Sequence, residues 1–187
     1  MIIKILTMRS KIFYSVFFLL PFLFVTESIY TYSVPAIEGT NYPISNCQGK
    51  KILIVTLPLQ QNSGADSILY SLDTLGQSHI NDLTIIAVPA VEDGYTAVQQ
   101  QQLQQWYRSK LGQHIIVTAG LSTRKSSGVQ QHSLFRWLTT VTENENFDID
   151  AAGEGYKFFV GTSGRLFAVL RPHTKIWSQS VQKTLRL

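Results

Sequence analysis

The stretch from Lys51 to Gly64, KILIVTLPLQQNSG, constrains the fold more than any other part of the chain. Its first seven residues are almost continuously apolar and rich in β-branched side chains, which is typical of a central strand covered on both faces. Pro58 cannot donate a ladder hydrogen bond, so the strand should end there. Asn62 and the two residues after it supply turn and N-cap chemistry for a helix with apolar residues at helical spacing, namely Ile68, Leu69, Leu72 and Leu75. In open α/β sheets, such a strand-to-helix turn usually carries the functional groups.

Strands and helices alternate along the rest of the chain. The apolar patterns predict an N-terminal β-hairpin within residues 29–48, and then strands at 83–88, 114–117, 156–160 and 165–170. Further helices are predicted at 96–111, 130–141 and 175–187. This order predicts an α/β protein with a thioredoxin-like three-layer fold, in which a mixed central sheet has helices on both faces.

The helix periodicity also predicts which side chains face the core. In the 96–111 helix, Val98 and Trp106 are expected to point inward, and Val141 and Trp177 are expected to do so in the two later helices. The glutamine-rich run from Gln99 to Gln105 is interpreted as the polar solvent face of its helix and not as a binding site.

Charge and cysteine content exclude several function classes. The formal charge of the chain is +4, of which residues 1–28 contribute +2, and no block of Lys and Arg with interleaved aromatic residues occurs. We therefore expect no nucleic-acid partner. The single cysteine, Cys47, excludes an intramolecular disulfide, a CxxC redox motif and a multi-cysteine zinc site. The four histidines are scattered without metal-ligand spacing, so neither a metal nor another cofactor is expected.

Residues 1–28 have the pattern of a secretory signal peptide. Basic residues at Lys4, Arg9 and Lys11 precede an apolar run of 14 residues, Ile12 to Val25, which is short for a spanning helix. Small residues then suit cleavage after Ser28. The competing interpretation is an uncleaved membrane anchor. Either one predicts an extracytoplasmic location for a domain at residues 29–187, with membrane contact only through an uncleaved N-terminus.

Four segments, in the right order, resemble the glutathione peroxidase family. Residues 37–55 resemble the family opening "IEG…GKVLLIV", and residues 86–89 lie where the family has a strand ending in Phe-Pro. Residues 128–138, GVQQHSLFRWL, resemble "GENAHPLYKWL". Residues 156–174, YKFFVGTSGRLFAVLRPHT, are similar to "EKFLVDRDGKVVARFAPTT" position for position. The resemblance spans residues 30–187 and implies the thioredoxin-like fold.

The resemblance also implies where a catalytic tetrad of Cys or selenocysteine, Gln, Trp and Asn would lie. An ungapped alignment places the family cysteine at Gln61, whereas matching the helix periodicity places it at Ser63. The family glutamine falls near Glu92, and the Trp-Asn pair falls on Gly153 and Glu154. All four positions differ from the family pattern.

These changes predict a protein that has lost peroxidase activity. Peroxide reduction needs a thiolate that becomes a sulfenic acid, and a serine hydroxyl cannot run that cycle. We expect a binding or structural module whose partner is an unidentified protein or a small polar ligand, held in the latter case by Ser63, Glu92 and Glu154. The alternative is a thiol peroxidase acting through Cys47 with an external reductant. Apart from Lys50 and Lys51, nothing near Cys47 in the sequence would lower the pKa of its thiol.

Overall fold

Strand β3, Lys51–Leu57, is the central strand of a five-stranded sheet with the order β5-β4-β3-β6-β7. The computed structural model of the chain describes residues 27–187, so the predicted signal peptide lies outside the described residues except for its last two positions. Parallel pairing joins β3 to β4 and β4 to β5, whereas β6 is antiparallel to both β3 and β7. The strands are β4 at Leu83–Pro89, β5 at Ile115–Val117, β6 at Lys157–Val160 and β7 at Leu166–Leu170.

Helices cover both faces of this sheet, as the sequence predicts. One face packs against the first, second and fifth helices, and the other packs against the third helix and the N-terminal segments. Because successive strand residues point to opposite faces, Leu53 and Val55 belong to the first core cluster and Ile52 and Ile54 to the second. The helices are α1 at Ser63–Ser78, α2 at Gln100–Lys110, α3 at Ser133–Thr139, α4 at Val141–Asn144 and α5 at Gln179–Arg186.

The predicted N-terminal hairpin is present and covers one edge of the sheet. Its strands β1, Ser33–Pro35, and β2, Asn41–Pro43, pair antiparallel. The hairpin then bonds to the β5 edge, where the Ile37 N–H donates to the Val117 carbonyl at 2.9 Å. The fold class predicted from the sequence is thus confirmed, with a three-layer α/β arrangement and an N-terminal hairpin.

Three helices begin or end at residues other than those predicted. As a result, side chains that were expected in the core are exposed. The second begins with a 3₁₀ turn at Ala97–Gln99, and Val98 in that turn is 94% exposed. The 130–141 helix is interrupted at Thr140, which has an extended backbone, so Val141 begins a separate short helix and is exposed. The last helix begins only after Ser178, which leaves Trp177 46% exposed. The inward predictions for Val98, Val141 and Trp177 are wrong because the periodicity of one helix does not continue through a 3₁₀ turn, a helix break or a loop.

Within residues 27–187, no helix has both the length and the apolar content needed to cross a bilayer.

Candidate functional site

The turn between β3 and α1 lies at the carboxyl end of the central strand. Asn62 caps α1, since its side-chain oxygen accepts a hydrogen bond from the Ala65 N–H at 2.9 Å. Gln61 and Ser63, the two candidate positions for the family cysteine, flank this cap, and both are exposed. The structure therefore places a carboxamide or a hydroxyl where the family resemblance implies the nucleophile.

A small pocket of about 200 Å³ opens beside this turn. Gln99 and Gln102 take part in it, so the glutamine-rich run is more than the solvent face that the sequence suggested. Ser63, Glu92 and Glu154 are not among the residues that line it, so a ligand in this pocket would not be held by those three side chains. The pocket is lined by neutral side chains, namely Leu59, Gln60, Gln61, Gln99, Gln102, Leu103 and Trp106.

The Glu92 carboxylate is hydrogen-bonded to the loop that follows β5. It accepts hydrogen bonds from the Ser122 hydroxyl at 2.6 Å, from the Thr123 N–H at 3.0 Å and from the Arg124 N–H at 3.3 Å. Burial alone would raise the pKa of Glu92, but these hydrogen bonds outweigh it and hold the pKa below its ordinary value. Glu92 thus acts as an ionised acceptor that fixes the 122–124 loop. The neighbouring Asp93 forms an ion pair with Arg124.

Gly153 and Glu154 lie at the same end of the sheet as the β3–α1 turn. The Gly153 carbonyl accepts a hydrogen bond from the Thr56 hydroxyl at 3.0 Å, and Gly153 has a left-handed φ of 94°. Glu154 is exposed, yet partial burial and the nearby charge of Asp93 raise the pKa of its carboxyl group. The structure therefore brings the equivalents of the Trp-Asn pair close to the candidate site, with a carboxylate in place of the amide.

Lys157 is a buried cation that the sequence reasoning missed. It lies in β6 directly opposite Val55, is 3% exposed, and donates a hydrogen bond to the Gly155 carbonyl at 2.6 Å. Burial lowers the pKa of its amine to about 8. The sequence signal that could have revealed it is a lysine inside an apolar strand, at a position where the alternation of strand side chains requires one that faces the core.

Cys47 lies at the opposite end of the sheet. It precedes β3, and its partners are Tyr42, with 3.6 Å between the hydroxyl oxygen and Sγ, and Thr84, which pairs with the second residue of β3. The seven residues of β3 separate this end from the β3–α1 turn by roughly 20 Å at about 3.3 Å per residue. Cys47 is 1% exposed, and burial raises the pKa of its thiol, which opposes thiolate chemistry.

No metal centre is evident in the part of the chain that the structure describes. Residues 27–187 contain no group of three or more His, Cys, Asp or Glu side chains placed to hold an ion.

Comparison with known proteins gives matches at the level of structure. Neither a family model nor a curated protein sequence matches the chain. Among solved structures, Trgpx in its apo form aligns with a TM-score of 0.64 at 16% identity, covering 86% of this chain and 94% of Trgpx. GPX1 of T. cruzi aligns with a TM-score of 0.57 at 15% identity, covering 86% and 95%. A thiol:disulfide interchange protein of the thioredoxin family from Chlorobium tepidum gives 0.58 at 12%, covering 83% and 90%.

The class that follows from these alignments is a protein with a thioredoxin-like fold. At these sequence identities the similarity concerns the fold and not the activity. What the chain does must be argued from its own residues.

Proposed function

We propose that this protein is a glutathione-peroxidase-like pseudoenzyme, which keeps the fold of a thiol peroxidase and no longer reduces peroxides. One observation carries the proposal. The only sulfur nucleophile of the chain, Cys47, is buried at the amino end of the sheet, whereas the turn at the carboxyl end holds Gln61 and Ser63.

The chemistry of the site supports this loss. A peroxidatic cysteine must be accessible, and it must ionise at neutral pH so that its thiolate can attack the O–O bond. At the β3–α1 turn there is no thiol, and the equivalents of the Gln and Asn partners are the carboxylates of Glu92 and Glu154. A negative charge beside a thiol raises its pKa. These carboxylates would therefore disfavour the thiolate of a cysteine introduced at the turn.

The proposed role is that of an extracytoplasmic binding or structural module. The extracytoplasmic location rests on the secretory pattern of residues 1–28. A small polar ligand would enter the neutral pocket beside the turn, where the carboxamides of Gln61 and Gln102 can both donate and accept hydrogen bonds.

Peroxide consumption tests the proposal. The purified protein and its Cys47→Ser variant are compared with an active glutathione peroxidase, with the glutathione and thioredoxin reducing systems supplied in separate reactions. We expect neither form to consume hydrogen peroxide above the protein-free rate. Turnover by the wild type that disappears in Cys47→Ser would overturn the proposal and establish the alternative peroxidase mechanism through Cys47.

A further inference from the structure

The two edges of the central sheet differ in how far other parts of the chain cover them. The β5 edge is covered by the N-terminal hairpin, through main-chain hydrogen bonds from Ile37 to Val117 and from Ala119 to Pro35. The β7 edge has only its first residue covered, because the Asn146 side chain donates to the Leu166 carbonyl at 2.9 Å. Among residues 27–187, no strand or side chain bonds to the outer main chain of the remaining four residues of β7.

Those four residues form an apolar and partly exposed edge. Phe167, Ala168, Val169 and Leu170 contain no charge and no proline, and each is partly exposed to solvent. Protein edges of this kind are usually blocked by a charged residue or a proline, because an open edge pairs with any extended chain.

The part of the chain that contains this edge is rich in basic residues. Residues 155–187 contain six Lys and Arg side chains and neither Asp nor Glu, although the whole chain carries a net charge of only +4. Arg165 and Arg171 stand immediately before and after β7. Three of them, Arg165, Arg171 and Lys175, lie within five residues of β7, whereas Lys157 is buried in β6 and Lys183 and Arg186 lie on α5.

An open cavity of about 510 Å³ is formed by the segment that follows β7, between residues 173 and 180. Its walls include Trp177, which is 46% exposed, and the exposed side chain of Lys175. Tryptophan is one of the residues that most often dominate the binding energy of a protein interface. We call the β7 edge, Arg165, Arg171 and this cavity the β7 docking surface.

We infer that the β7 docking surface binds an extended segment of a partner protein that has apolar residues at its centre and acidic residues at its ends. The segment adds a sixth strand next to β7, with main-chain hydrogen bonds giving affinity and the acidic ends meeting Arg165 and Arg171. Arg165 already pairs with Glu145, so Arg171 and Lys175 supply most of the attraction.

A second copy of this chain fits the surface less well. In a symmetric antiparallel pair centred on Ala168, Arg165 of each copy would lie opposite Arg171 of the other. Like charges that face each other across paired strands are destabilising. This repulsion favours an acidic partner over self-association.

A designed peptide tests the inference on the purified protein. The probe has six alternating Val and Thr residues with two Asp at each end, and its control has Lys in place of every Asp. We expect saturable binding of the Asp-ended probe, with amide chemical-shift changes confined to residues 165–180, and at least tenfold weaker binding of the Lys-ended control. A probe with every main-chain amide N-methylated should not bind, because neither of its edges can donate to the ladder.

A matched pair of charge reversals locates the contact on the protein. Arg171→Glu should weaken the Asp-ended probe about tenfold, because an attraction becomes a repulsion. Lys183→Glu makes the same charge change on α5, outside the residues that line the cavity, and should leave the affinity nearly unchanged. Equal binding of the N-methylated probe, or equal effects of both reversals, would overturn the inference. So would a dimer with β7 amides protected in the absence of probe, or binding to anionic phospholipid vesicles with none to the probe.

Discussion

Replacing Lys157 with methionine should make the protein more stable at neutral pH. Burial lowers the pKa of this amine from its ordinary value near 10.5 to about 8, so the folded state disfavours the charged form. At about 1.4 kcal/mol per pKa unit, the cost of carrying that charge in the fold is about 3 kcal/mol. Methionine fills a similar volume without the charge, but it loses the hydrogen bond to the Gly155 carbonyl, which is worth about 1 kcal/mol. The expected net gain for Lys157→Met is about 2 kcal/mol.

The pH dependence separates this mechanism from a general improvement in packing. Between pH 8 and 10.5 the unfolded chain holds a proton on Lys157 that the folded chain has lost, so the stability of the wild type rises with pH in that window. Lys157→Met lacks this contribution, and its advantage should shrink steadily from pH 8 to pH 10. Urea unfolding, followed by circular dichroism at pH 7, 8, 9 and 10, measures the difference in free energy of unfolding between the two proteins. The contributions of the other titrating groups cancel in this difference. A methionine variant less stable than the wild type at pH 7, or a difference that does not change with pH, would refute the reasoning.

Two further predictions concern the loops that hold the scaffold. The neutral ring of His132 accepts a hydrogen bond from the Leu134 N–H at 3.3 Å at the start of α3, and burial lowers its pKa, so stability should fall as the pH drops below about 6.5. His132→Asn, which keeps an acceptor without titrating, should show a smaller loss between pH 7.5 and 5 in the urea midpoint. Gly120→Ala should cost about 1–3 kcal/mol, because the added methyl group would overlap the ring of Tyr95. A thermal melt unchanged by this substitution would contradict the packing described at that glycine.

The sheet could be predicted because its signals are local and agree with one another. The run from Lys51 to Leu57 is buried on both faces, and a strand of that kind must be central. Pro58 and Asn62 then mark the end of the strand and the cap of α1, and the structure confirms both positions. Once these elements were identified, the alternation of strands and helices left few arrangements of layers.

The helix ends could not be predicted in the same way. The apolar pattern that correctly placed Trp106 in the core was extended one turn too far, to Val98, where the backbone is 3₁₀ and the side chain is exposed. The same error placed Trp177 inside, although Ser178 is the residue that caps α5. The orientation of a side chain that precedes a helix cap is set by the conformation of the loop. That conformation depends on tertiary contacts, which the periodicity of the sequence does not contain.

The candidate site shows what residue identity alone leaves undecided. From the sequence, Glu92 and Glu154 have the same predicted effect, a negative charge near the site, yet the structure places them in different surroundings. Hydrogen bonds from the 122–124 loop lower the pKa of Glu92, whereas burial and the charge of Asp93 raise the pKa of Glu154. The reactivity of Cys47 likewise depends on its surroundings. Its thiol is hydrogen-bonded to Tyr42 and Thr84 and lies at the far end of β3. The chemistry of the candidate site therefore follows from which donors and charges the fold brings to each side chain, and the only thiol of the chain is buried at the opposite end of β3.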